Sequence, residues 1–66
     1  MKILETGARE SVLLLQKSEL LMILNALNET LESLEDWEVP IRVGAETGEV
    51  EKFHRELHVV LAKMDP

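Results

Sequence analysis

His54 and His58 lie four residues apart, with Glu51 three residues before the first. On a helix all three fall on one side, and imidazole nitrogens and carboxylate oxygens are zinc ligands. The stretch "FHRELH" (53–58) therefore raises the question of a zinc enzyme. In the zincin motif, H-E-x-x-H, a glutamate directly after the first histidine serves as base on the metal-bound water. Here the glutamate is Glu56, two positions after His54. A two-residue step turns the helix by about 200°, so Glu56 points away from the pair and the protease reading fails. A non-catalytic metal site through Glu51, His54 and His58 is the remaining metal option, with a symmetric dimer able to double the ligands. The preferred reading leaves the histidines flanking an apolar stripe, tips in water, with Glu51 paired to one of them or to Arg55.

No other catalytic constellation is visible. The chain lacks cysteine, and Ser18 in "QKSE" suits a helix N-cap better than a nucleophile. Gly7, Gly44 and Gly48 are isolated, so no phosphate loop is formed. With 66 residues there is little concave, dry surface to shift a carboxylate's pKa. The expectation is no enzyme, no catalytic residue and no cofactor.

The charge of −6 is concentrated. Glu29, Glu32, Glu35, Asp36 and Glu38 crowd residues 29–38 with no base among them, while the other eight acids nearly cancel the seven bases. If this run ends a helix, each carboxylate opposes the dipole at a cost of about 0.3–1 kcal/mol. Either Arg42, Lys52, Arg55 or Lys63 folds back onto the acids, or the acids receive a basic partner with Trp37 as apolar anchor. Trp37 could equally close the end of the core under Pro40. The run has neither the spacing nor the glycine of a calcium loop. Net negative charge disfavours direct nucleic-acid or anionic-membrane binding.

These residues need a scaffold, and a chain this short buries only about 60% of its unfolded surface. One small domain is expected. Without cysteine it has no disulfides, and a reducing, cytoplasmic setting is the expectation. Residues 2–5 and 11–15, separated by a segment containing Gly7, read as a β-hairpin. Leu20, Leu24, Leu27, Leu31 and Leu34, with Ile23 beside them, form one helical stripe, which places a helix at about 18–35 with Ser18 as N-cap. Pro40 biases Val39 away from helix, so 39–43 ("VPIRV") reads as an extended joining segment. Glu46 or Thr47 then caps a second helix at about 47–64, with Val50, Phe53, Leu57, Val60, Leu61 and Met64 on its apolar face. The fold expected is α+β and mostly helical: two antiparallel helices packed together and covered by the hairpin.

Both helices carry apolar residues off those stripes: Leu21, Met22 and Ala26 in the first, Val59 in the second. A second buried surface follows, and a homodimer through these four residues is favoured, because a small core gains by sharing. Asn25 and Asn28 either bond across such an interface or face solvent.

The string "NALNE" (25–29), then "RVG" (42–44), then an acidic and apolar helix resembles a set of small uncharacterised bacterial proteins. The likeness spans about residues 18–61, and Pro40 and Gly48 depart from it. It implies a compact, helix-rich bacterial protein and brings no activity with it. The functional expectation is a small protein-interaction module, homodimeric, using Glu29, Glu32, Glu35, Asp36, Trp37 and Glu38 to contact a protein partner. The alternatives are low-affinity metal binding through Glu51, His54 and His58, or an acidic nucleic-acid mimic that inhibits a basic protein.

Overall fold

The computed structural model describes residues 1–64. Strands β1 (Lys2–Thr6) and β2 (Ser11–Leu14) pair antiparallel, followed by helices α1 (Lys17–Ser33), α2 (Val39–Val43) and α3 (Thr47–Lys63). The fold is α+β and mostly helical. The hairpin turn is closed by the Gly7 N–H donating to the Glu10 carbonyl at 2.8 Å. The register slips between Ile3 and Glu5, leaving Leu4 as a bulge on β1.

Helix α1 begins two residues earlier than its serine suggests. Gln16 is the N-cap, and the Glu19 carboxylate takes the Gln16 N–H at 2.9 Å. Ser18 lies inside the first turn. The same carboxylate holds the α-amino group of Met1 at 2.6 Å, tying the hairpin's start to the helix. At α3 the pattern repeats: Glu46 is the N-cap, and its N–H donates to Glu49 at 3.1 Å. A glutamate three residues after the cap satisfies an otherwise unpartnered N–H in both helices.

The α1–α3 seam is aliphatic. Leu20 and Leu24 pack with Leu57, and Leu15, Ile23, Leu27 and Leu61 close around them. Residues from the start of α1 meet residues near the end of α3, so the helices run antiparallel. At the opposite end Val39 and Val50 are buried, Val39 to 1% exposure.

Two expectations are corrected here. Residues 39–43 form a short helix, not an extended segment. Proline is harmless in a first turn, where its missing N–H has no intrahelical acceptor, and burial of Val39 outweighs the extended bias of a residue before proline. Gly44 ends this turn at φ 86°, a left-handed conformation open to glycine, with its N–H on the Pro40 carbonyl at 3.1 Å. Nor does the hairpin cover the helices. Ile3, Leu4, Val12, Leu13 and Leu14 are all exposed, and the extensive contacts between elements are β1 with β2 and α1 with α3. Without that cover, Phe53, Val60 and Met64 on the α3 stripe stay exposed, while Leu57 and Leu61 pack against α1 and Val50 is buried.

The result is a plate of 34 × 33 × 15 Å. The radius of gyration is 13.3 Å, against about 11 Å for a compact chain of this length.

Leu57→Ala should cost about 2–5 kcal/mol, most of what so small a core supplies, and unfold much of the chain. Phe53→Ala, on the same stripe, should cost about 1 kcal/mol or less in the dilute single chain. Urea denaturation checks the contrast, and equal losses would mean that Phe53 is covered. The Gln16 N–H and then the Met1 ammonium hold the Glu19 carboxyl below its ordinary value of 4.5. A carboxyl lowered in the folded state stabilises fully above its unfolded value and loses that contribution as pH falls through the folded one. An NMR titration should therefore place Glu19 below the ordinary value. Glu19→Gln should flatten the pH dependence of stability only on the acid side.

Candidate functional site

The acidic run lies where the two helices hand over to α2. Helix α1 stops at Ser33, and Leu34 turns extended with its N–H on the Thr30 carbonyl at 3.1 Å. Only Glu29 and Glu32 therefore sit in the helix, Glu32 in its last turn and Glu29 just before it. Glu35, Asp36 and Glu38 lie beyond it, in the loop that starts the next elements. The Glu38 carboxylate accepts the Glu35 N–H at 3.2 Å and faces the Arg42 guanidinium at 3.4 Å. Asp36 accepts the Thr47 hydroxyl at 3.3 Å, at the first residue of α3. A carboxylate at a helix N-terminus is favourable, so the expected dipole penalty falls on two acids rather than five.

Arg42 is the one base of the expected four that reaches this cluster among the described residues, through a surface pair with the half-buried Glu38, worth about 0–1 kcal/mol. Glu29, Glu32, Glu35 and Asp36 are exposed and meet no basic side chain among the described residues. Trp37 does not close the core. It is 69% exposed, and Ile41, one helical turn on, is 76% exposed. Trp37, Glu38, Ile41 and Arg42 line an open groove of about 430 Å³. Ile41 was not among the expected site residues. Its i, i+4 relation to Trp37 becomes meaningful only once residues 39–43 are helical.

The histidines share a face as expected, with ring centroids 4.8 Å apart and edge to face. Glu51 does not complete a site with them: among the described residues no three histidine or acidic side chains are placed to hold a metal ion. A helix supplies ligands along one side only, and a third must come from an element packed opposite.

Leu21, Met22, Ala26 and Val59 are all exposed. Asn25 and Asn28 are exposed as well. No helix among the described residues is long and apolar enough to cross a membrane. No family model, curated protein or solved structure matches the chain.

Zinc should leave the melting temperature of the single chain unchanged, and His54→Ala should be silent in the same assay. A zinc-dependent rise that His54→Ala removes would require ligands from a second copy.

Proposed function

We propose that the chain is a small protein-interaction module that acts as a homodimer and contacts a basic protein partner through Trp37 and the acids around it. The observation that carries the reading is the exposed Trp37–Ile41 pair set among carboxylates. Tryptophan is one of the residue types enriched at the energetic centres of protein interfaces, and a large aromatic left open is more informative than a scattered leucine. Glu32, Glu35 and Asp36 supply a field that would steer and orient a cationic surface, with affinity that falls as salt rises. The dimer half of the reading is supported by the balance of apolar side chains. Among the described residues fifteen large ones are exposed and five are buried. No catalytic role is proposed.

The test uses a lysine-rich peptide with one leucine anchor, followed by Trp37 fluorescence. Binding should blue-shift the emission and weaken with added salt. Glu32→Lys with Glu35→Lys should lose binding at least ten-fold. Glu51→Lys with Glu56→Lys changes net charge equally and should bind as wild type. Equal loss in both double variants would reduce the effect to overall charge and remove the patch.

A further inference from the structure

The two edges of the hairpin are not equivalent. Strand β1 carries Lys2 and Glu5, and its ladder is broken by the bulge at Leu4. Charged side chains and bulges are the devices by which proteins keep a free strand edge from pairing with another chain. Strand β2 has none of them. It reads Ser11-Val12-Leu13-Leu14, with no charge, no proline and no extra residue, and all four side chains are exposed. A two-stranded hairpin alone is marginally stable, and three or more strands or a packed helix are needed to secure it. Yet among the described residues no helix lies extensively against this one.

The surface area points the same way. The chain exposes 5419 Å², whereas a folded monomer of 7.5 kDa exposes about 4,200 Å². The excess, about 1,200 Å², exceeds the roughly 800 Å² that each partner contributes to a stable interface.

We propose that β2 is the self-association edge of this protein: β2 of one chain pairs antiparallel with β2 of a second copy, making a four-stranded β1–β2–β2–β1 sheet about a two-fold axis. The proposal rests on the homodimer reading and names where the copies meet. A two-fold axis normal to the sheet sets a strand antiparallel to its own copy, so one strand supplies both halves of an isologous interface. The neutrality of β2 means that no like charges face each other across the axis, which would oppose pairing. Strand β1, with its bulge and charges, is left as the protected outer edge.

The experiment is sedimentation equilibrium on the full chain, wild type beside Val12→Lys with Leu14→Lys. Both side chains are at least half exposed in the single chain, so their replacement removes no core contact. The expected result is a wild-type dimer and at least a ten-fold weaker association for the double variant, with the helical circular dichroism of the wild type at matched monomer state. A wild-type dimer undiminished by these lysines but dissociated by Met22→Lys with Val59→Lys overturns the β2 edge while leaving the homodimer in place. A wild type monomeric at every concentration removes the homodimer itself. Amide exchange of the wild-type chain gives a readout free of substitutions. On concentration the outward amides of β2 should gain protection and those of β1 should not; protection gained without β2 overturns the proposal.

Discussion

The contact of Leu20 and Leu24 with Leu57 is the interaction on which the rest of this chain depends. Among the described residues it belongs to the only extensive meeting of helices. Leu15 extends it toward the hairpin and Leu27 into the second half of α1. At the other end the short helix α2 takes over, with Val39 and Val50 buried. A single aliphatic seam between two helices leaves much of both helices uncovered, with Met22, Phe53 and Val59 exposed. The hairpin is attached at its edge by Leu15 and by the Met1–Glu19 pair rather than laid over a face. Small cores are limited by surface, and this one leaves uncovered much of the apolar area it possesses.

In the acidic run, backbone geometry changes the sign of a local electrostatic effect. As the tail of one helix, five carboxylates would oppose a dipole. Folded, three of them have passed beyond that helix into the approach to α2 and α3, and Glu38 and Asp36 accept hydrogen bonds there. The acids are thus locally tolerated. Tolerance explains how the cluster can exist, but satisfying the fold does not require Glu29 and Glu32 to be acidic.

How much of this is legible in the chain follows from what each signal depends on. The leucine steps of three and four specify α1, and the matching steps in α3 specify its partner, because helical period is a local property. Against expected bounds of 18–35 and 47–64, the helices run Lys17–Ser33 and Thr47–Lys63. The first end moves because Gln16, with Glu19 reaching back, serves as the cap in place of Ser18. Residues 39–43 escape the proline rule because that rule is local, while burial of Val39, which decides the matter, is not. The same limit governs the site. The acids and Trp37 are legible as residue types, but Ile41 joins Trp37 only through the helical turn that Pro40 conceals. Burial on the α3 stripe falls short of its spacing for the same reason: spacing shows which side chains share a face, not whether anything lies on it.

The placement of the two surfaces bears on whether they can work together. Strand β2 leads through Leu15 and Gln16 into the start of α1, whereas Trp37 follows the end of that helix. Seventeen residues of α1 separate them by about 25 Å along the axis. Self-association at the hairpin would therefore leave the acidic ends uncovered, one on each copy and on opposite sides of the joined sheet. Two such ends held at fixed separation could engage a repeated or extended basic partner with an avidity that neither has alone. An interface through Met22 and Val59, early in α1 and late in α3, would also lie on the hairpin side of the helices, whereas one near Trp37 would bring the acids of both copies together and add like-charge repulsion. The charge distribution thus favours joining at the end of the molecule farthest from its acids.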